Sequence, residues 1–188
     1  KQAIPHFYVT SDVDMDSAIA FREMVNGQVE DDAGKITFND LIVKAVALAL
    51  REFPNLNTTL EGDTLYDHPN IDVNIAVAIE GGLIAPFIPD ADQKSLGTIA
   101  RMAKDLVGRA RKGGLLPNEF QGGTFTISNL GMYDVSEFIA IINPPQAAIL
   151  AIGSITEKPV VRDGHVAIGH QMKISLSCDH RVSDGAEV

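Results

Sequence analysis

The chain has 188 residues, of which 45% are hydrophobic and 21% are charged, and its formal net charge is -10. This length and composition fit one globular domain with a sizeable core. The negative charge argues against a nucleic-acid binder that neutralises phosphates, and no apolar run reaches the roughly 18 to 20 residues of a membrane span. The single cysteine, Cys178, excludes a disulfide within the chain and fits a reducing compartment. We therefore expect a globular protein that binds neither nucleic acid nor membrane.

The charge is unevenly distributed along the chain. Residues 1–94 contain 6 basic and 16 acidic side chains, whereas residues 95–188 contain 9 of each. An anionic ligand would therefore meet less repulsion from the second half.

The chain opens with patterns typical of one strand and two helices. Residues 6–13 alternate in polarity as a strand does, and Asp16 is placed to cap a helix that ends near Gly27. The capping-box pattern at Thr37–Asp40 then begins a second helix, which stops before Pro54. Because this second helix is apolar on nearly every side, we expect it to be buried.

A strand, a paired strand and a third helix follow. Apolar residues alternate from Ile71 to Ile79, and a glycine-rich turn leads into a second strand over Leu83–Ile88. Pro86 predicts that this second strand lies at a sheet edge or a bulge. Ser95 then caps a helix whose apolar residues recur at helical spacing for about four turns.

Three further strands are predicted at residues 124–128, 147–152 and 172–178, with a hairpin turn at 162–164. The total is three helices and six or seven strands in mixed order. This pattern predicts an α/β or α+β domain in which helices cover a mixed β-sheet.

The sharpest chemical pattern lies at the end of the sequence. The last predicted strand leads into His180, and Asp184 and Gly185 follow within a turn. Histidine is the side chain best suited to accept a proton near neutral pH. Its position at a strand end, among polar residues and near a glycine, favours a catalytic histidine over a structural one.

The stretch Asp179–Gly185 resembles the signature of the catalytic domain of dihydrolipoamide acyltransferases, the E2 core enzymes of 2-oxo acid dehydrogenase complexes. Part of this signature also occurs in chloramphenicol acetyltransferase, so the signature alone is only moderately specific for the family. Further segments resemble the family in the family's order: Ile4–Tyr8, Phe38–Ala45, Asn74–Ala78, Gly82–Pro86, Phe120–Met132 and Asn143–Leu150. Within the family, Gly131-Met132 and Ile141–Pro145 are most similar to the branch of pyruvate dehydrogenase complexes.

The resemblance implies a two-layer sandwich fold of the chloramphenicol acetyltransferase type. It also implies that the protein transfers an acetyl group between the dihydrolipoyl arm and coenzyme A. It implies that His180 is the general base for the attacking thiol and that the Ser128 hydroxyl stabilises the tetrahedral oxyanion. Asp184 is implied as a third site residue that orients the turn, and an Asx-type turn partner is the alternative.

The resemblance also implies substrate-contacting positions at Asn129, Leu83, Pro86 and Met132. Coenzyme A is the implied substrate, and the lipoyl group must come from a separate domain because the chain has no lipoylation site. The histidines lack the spacing of metal ligands, so no metal is expected. Basic residues on the third predicted helix could attract coenzyme A phosphates, although a solvated helix face is the favoured interpretation: Arg101, Lys104, Arg109, Arg111 and Lys112.

By resemblance, residues 1–188 form one acyltransferase catalytic domain, shortened at both ends and without a lipoyl or subunit-binding domain. The implied partners are two further copies in a homotrimer, larger hollow cores, a lipoyl domain and the E1 and E3 enzymes of the complex. The implied location is the bacterial cytoplasm or the mitochondrial matrix. Two alternatives remain: a branched-chain or succinyl acyltransferase of the same family, and a non-catalytic structural core component.

Overall fold

A computed structural model describes residues 4–31 and 34–188 of the chain. Within these residues lie three α-helices, namely α1 (Asp16–Asn26), α2 (Phe38–Glu52) and α3 (Leu96–Arg111). The same residues form ten strands: β1 (His6–Asp14), β2 (Thr58–Glu61), β3 (Thr64–Asp67), β4 (Val73–Ile75), β5 (Val77–Ile79), β6 (Gly82–Ile84), β7 (Phe87–Ile88), β8 (Phe125–Asn129), β9 (Ala148–Arg162) and β10 (His165–Asp179).

A six-stranded mixed sheet organises the domain. Its strand order is β1-β10-β9-β8-β4-β7, and β8 runs parallel to both of its neighbours while the other pairs are antiparallel. The pairs β2–β3 and β5–β6 form two separate two-stranded sheets. The predicted α/β class with a mixed sheet is thus confirmed.

The main hydrophobic core lies between the helices and one face of this sheet. Val43 of α2 and Ile99 of α3 pack in the same buried cluster as Ile127 of β8 and Ile152 of β9. Burying each such side chain contributes about 1.5–3 kcal/mol. None of the helices among the described residues is long and apolar enough to cross a membrane.

The opposite face of the sheet is covered by an irregular segment rather than by helices. Residues 134–143 run across it and bring Ala140 and Ile142 into a smaller buried cluster with Ile149 and Ala151 of β9. The hydroxyl of Ser177 in β10 donates to the Ala140 carbonyl, at 2.7 Å. This segment leads from the end of β8 towards the turn that carries His180.

The capping predictions for α2 and α3 are confirmed. The Thr37 hydroxyl accepts the Asp40 N–H at 3.3 Å, the Asp40 carboxylate accepts the Thr37 N–H at 2.7 Å, and the Ser95 side chain accepts the Thr98 N–H. These contacts satisfy donors that a helix N-terminus leaves unpaired.

Two of the helix predictions are wrong. Asp16 does not cap α1: the N-cap residue is Met15, and the Asp16 carboxylate instead accepts the backbone N–H of His170, at 3.0 Å. The helix α2 is not buried all round, since Leu48 is exposed while Val43 is fully buried. Only one side of α2 packs on the sheet, so its apolar outer side meets solvent in the single chain.

The predicted strand over residues 71–79 is divided at Ala76. The Ala76 N–H donates to the Ile127 carbonyl at 2.9 Å, after which the chain leaves the large sheet and forms β5. Pro86 lies between β6 and β7, where no ladder donor is required. The alternating pattern shows which side chains are buried but not which sheet the backbone joins.

Candidate active site

A cavity of about 1090 Å³ opens between α2, α3 and the carboxyl end of β8. Four of the residues predicted from the sequence line it: Ser128, Asn129, Leu83 and Met132. Leu83 and Met132 are 67% and 69% exposed, so the cavity has an accessible apolar rim. Pro86 is fully buried and does not line this cavity.

Ser128 is held by a central strand and by the turn that follows it. The strand β8 pairs with β4 on one side and β9 on the other. Beyond it, the Leu130 N–H donates to the Ile152 carbonyl, and the Asn129 side chain accepts the Gly131 N–H at 2.8 Å. A Cβ atom at Gly131 would lie 2.7 Å from a carbonyl oxygen of β9, so only glycine permits this close approach.

A buried polar network fixes β8 two residues before Ser128. The Gln146 amide donates to the Asn74 side-chain oxygen at 2.8 Å and to the Gly123 carbonyl at 3.0 Å, and the Thr126 hydroxyl donates to Gln146. Gly123 has a positive φ, and a Cβ atom there would overlap the Asn74 side chain. Sequence reasoning did not identify this network, because its members come from separate elements and share no local motif.

His180 lies elsewhere, on an exposed turn after β10. Its backbone N–H donates to the Pro5 carbonyl at 2.9 Å, and its ring centroid is 4.8 Å from that of Phe7. The preceding Asp179 is buried and pairs with Arg181 at 2.6 Å. Burial opposes the ionisation of Asp179, but the hydrogen bonds from Arg181 outweigh it and hold the pKa of this carboxyl below its ordinary value.

Asp184 is exposed and makes a local turn contact. Its carboxylate accepts the Ala186 N–H at 2.8 Å, which is the Asx-type turn that the sequence allows. Neither Asp184 nor His180 lines the cavity that contains Ser128.

Strand register shows how far apart these groups lie in one chain. Ser128 pairs with Ala151, and Ala151 pairs with Ser175, which lies five residues before His180. At about 3.4 Å per residue along β10 and about 4.8 Å between neighbouring strands, Ser128 and His180 are separated by roughly 20 Å. A general base and an oxyanion donor must both lie within about 3 Å of the reacting groups. One chain therefore does not bring them to a common reacting carbonyl.

Cys178 has no chemical role that its surroundings support. It is fully buried in the main core, and burial raises the pKa of its thiol to about 12. A thiol so protonated is a poor nucleophile. No group of three or more potential metal ligands occurs in the part of the chain that the structure describes.

The fold is that of a known class of acyl-transferring enzymes. Chloramphenicol acetyltransferase superposes with a TM-score of 0.64 over 98% of this chain and 83% of its own, at 18% identity, which defines a chloramphenicol acetyltransferase-like fold. The sequence profile of the 2-oxoacid dehydrogenases acyltransferase (catalytic domain) family matches residues 1–188. The chain belongs to this family.

Curated relatives of the chain are larger proteins. It is 46% identical to the dihydrolipoyllysine-residue acetyltransferase component of pyruvate dehydrogenase complex from Rickettsia bellii, over 99% of this chain and 45% of that protein. It is 44% identical to component 3 of the mitochondrial complex from Arabidopsis thaliana, over 99% of this chain and 35% of that protein. The chain thus spans less than half the length of either relative.

Solved structures of relatives agree closely with the fold. The dihydrolipoamide acetyltransferase of Azotobacter vinelandii, in which the catalytic roles of a serine, a histidine and an asparagine were investigated, has a TM-score of 0.94 at 34% identity, over 99% of this chain and 77% of that one. The cubic core of a pyruvate dehydrogenase multienzyme complex has a TM-score of 0.92 at 33% identity, with the same coverage.

Proposed function

We propose that this chain transfers an acetyl group between the dihydrolipoyl arm and coenzyme A, as the catalytic domain of a pyruvate dehydrogenase complex. The spacing of three residues carries the proposal. The serine, histidine and asparagine of the Azotobacter vinelandii enzyme are separated by 52 and 4 residues, and so are Ser128, His180 and Asp184. Because an asparagine occupies the third position there, an acceptor oxygen at Asp184 is the shared property, rather than its charge.

The chemistry requires a base and an oxyanion donor. A thiol with a pKa of about 8.5 is mostly protonated at neutral pH, so neutral His180 takes its proton as the sulfur attacks the thioester carbonyl. The Ser128 hydroxyl donates to the oxyanion while the new C–S bond is present alongside the old one. Collapse breaks the old C–S bond, and the departing sulfur regains the proton from His180. No acyl-enzyme is needed.

The complete site is shared by two copies of the chain. The roughly 20 Å between Ser128 and His180 in one chain supports this arrangement, since strand spacing and rise fix that distance. Apolar side chains are exposed beside both groups: Leu83 and Met132 on the rim of the Ser128 cavity, and Ile141 near the His180 turn, at 60% exposure. The Ile142 N–H donates to the ring of His6. This bond connects the exposed apolar patch at Ile141 to β1, the N-terminal strand beside His180.

Two unlike patches that cover each other form a heterologous interface, and a closed heterologous interface generates a ring. We infer a homotrimer of three 20.2 kDa chains, about 60 kDa in all. The cubic core formed by one structural relative supports a larger hollow assembly built from such trimers. Light scattering on the purified protein tests this: a monomer that retains full activity would exclude a shared site.

The remaining partners follow from the same proposal. A separate domain delivers the lipoyl arm. The E1 enzyme loads the acetyl group onto this arm, and the E3 enzyme reoxidises it. Curated relatives come from bacteria and from plant mitochondria, which supports the bacterial cytoplasm or the mitochondrial matrix as the location.

An acyl-transfer assay tests the function. Free dihydrolipoamide is incubated in turn with the acetyl, isobutyryl and succinyl thioesters of coenzyme A. The rate of acyl transfer from coenzyme A to dihydrolipoamide is measured. We expect the acetyl group to give the highest kcat/KM. A preference for isobutyryl or succinyl groups would make the chain a different acyltransferase of the family, and no transfer by an intact assembly would favour a non-catalytic core component.

A further inference from the structure

The buried polar network of Gln146, Asn74 and Thr126 has a chemical direction. The Asn74 amide nitrogen donates to two backbone carbonyls, those of Ala85 at 2.7 Å and Gly122 at 3.1 Å, so the Asn74 oxygen faces away from them. That oxygen accepts from the Gln146 nitrogen, which leaves the Gln146 oxygen as an acceptor and makes the Thr126 hydroxyl the donor. Each side chain of the network therefore has one possible orientation.

The network is buried and fully paired. All three side chains are buried, and Asn74 has no exposed surface at all. Among the described residues, no buried side-chain polar atom lacks a hydrogen-bond partner. A buried polar group that loses its partner keeps the full cost of its desolvation, so a fully satisfied network favours a single arrangement of the segments that it joins.

The network lies one layer before Ser128 in the sheet. Asn74 and Thr126 are register partners on the parallel strands β4 and β8. Thr126 and Ser128 are two residues apart on β8, so their side chains lie on the same face of the strand. At Ala76 the chain leaves the large sheet, and Ala76 lines the Ser128 cavity. Ser128 itself therefore has a ladder partner only in β9.

We propose, resting on the acyl transfer proposed above, that Gln146 is a positioning residue for Ser128. It ties Thr126 of β8 to Asn74 of β4 and to the Gly123 carbonyl, just before β4 leaves the sheet beside Ser128. An oxyanion donor must lie about 3 Å from the developing charge, and a small misplacement costs up to about 10² in rate. Gln146 is buried and does not line the cavity, so it acts through Ser128 and not on substrate.

Thr126 offers a way to break this link without removing bulk. Gln146→Met would leave several buried groups unpaired and can unfold the chain, whereas Thr126→Val keeps nearly the same shape and removes only the donor to Gln146. Thr126→Ser keeps the donor. Thr124→Val is the matched control, because Thr124 is also buried just before β8 and its hydroxyl donates to Asn57, outside the network. The urea midpoint, kcat and KM are measured for each variant, and for Thr126→Val combined with Ser128→Ala.

We expect Thr126→Val to lower kcat by about tenfold or more with little change in KM, because the oxyanion exists only in the transition state. Thr126→Ser should restore most of the lost activity. Thr124→Val should lower the urea midpoint but not kcat. In the Ser128→Ala background, Thr126→Val should have no further effect on kcat. A wild-type kcat for Thr126→Val, an equal loss for Thr124→Val, or a full further loss in the Ser128→Ala background would overturn the proposal.

A second measurement needs no turnover. Amide hydrogen exchange over residues 127–131, followed by mass spectrometry, reports the local stability of the Ser128 segment. We expect faster exchange there in Thr126→Val than in wild type or in Thr124→Val. If the intact assembly of wild-type chains transfers no acyl group, the proposed function fails. Faster exchange would then still support the positioning of Ser128 by the network, whereas unchanged exchange would overturn it.

Discussion

The two halves of the proposed site are built differently. Ser128 lies on a central strand, between two parallel neighbours and beside a buried polar network, and it lines an open cavity. His180 lies on an exposed turn, where its backbone N–H donates to Pro5 and its ring packs against the Phe7 ring. The Ser128 half has a preorganised pocket but no general base. The His180 half has the proposed general base but no pocket. This difference supports the proposal that the assembly, and not the single chain, is the catalytic unit.

Removing the base should have the largest effect. We expect His180→Ala to lower kcat by about 10²- to 10⁴-fold, because the attacking thiol then keeps its proton. The matched control is His165→Ala, at an exposed position beside the β9–β10 turn. Assays over pH 6–8 check the prediction, and wild-type kcat in that range would show that His180 is not the base.

Removing the oxyanion donor should come next. Ser128→Ala is expected to lower kcat by about 10²- to 10³-fold with little change in KM, since the donor acts on charge that develops in the transition state. Ser136→Ala, in the exposed part of residues 134–143, is the control. A change confined to KM would instead make Ser128 a ground-state contact.

Two substitutions at Asp184 separate an acceptor oxygen from a charge. Asp184→Asn keeps the acceptor for the Ala186 N–H, whereas Asp184→Ala removes it and loosens the turn after His180. We expect the alanine variant to lose at least about tenfold more kcat than the asparagine variant, because a small misplacement of a catalytic group costs up to about 10² in rate. Equal losses would show that the charge of Asp184 matters.

The smallest effect concerns the stability of the His180 turn. Arg181→Met leaves the buried Asp179 carboxylate without its ion-pair partner, so the urea midpoint should fall at pH 7. Arg181 lowers the pKa of Asp179 in the folded protein, so the stabilisation is present above the unfolded pKa and disappears as the pH falls through the folded one. The difference from wild type should therefore shrink at acid pH. A difference that is constant from pH 7 to pH 3 would contradict this, and Arg101→Met is the surface control.

Local signals predicted much of the fold. The Thr37–Asp40 capping box and the Ser95 cap specify where two helices begin, because they satisfy backbone donors within a few residues. The division of the strand at Ala76 was not predictable, since burial alternates in the same way in either sheet. Which strand pairs with which is decided by long-range packing.

The site shows the same limit. The motif at His180 and the match at Ser128 predict both groups, but only the register of β8, β9 and β10 shows that they lie roughly 20 Å apart in one chain. Arg22 and Lys35 line the same cavity as Ser128, although they are far from it in sequence and belong to the acidic half of the chain. Only the fold brings them to one cavity.

The central claim is that each active site combines Ser128 of one chain with His180 of another. The direct test mixes the inactive variants His180→Ala and Ser128→Ala after mild dissociation and reassociation, with mixed oligomers verified by mass spectrometry of differently tagged chains. In a random equal mixture, about one interface in four pairs an intact His180 with an intact Ser128 in a closed ring. We therefore predict recovery of about a quarter of wild-type activity. No recovery in verified mixed oligomers would place both groups of each site in one chain and contradict the account.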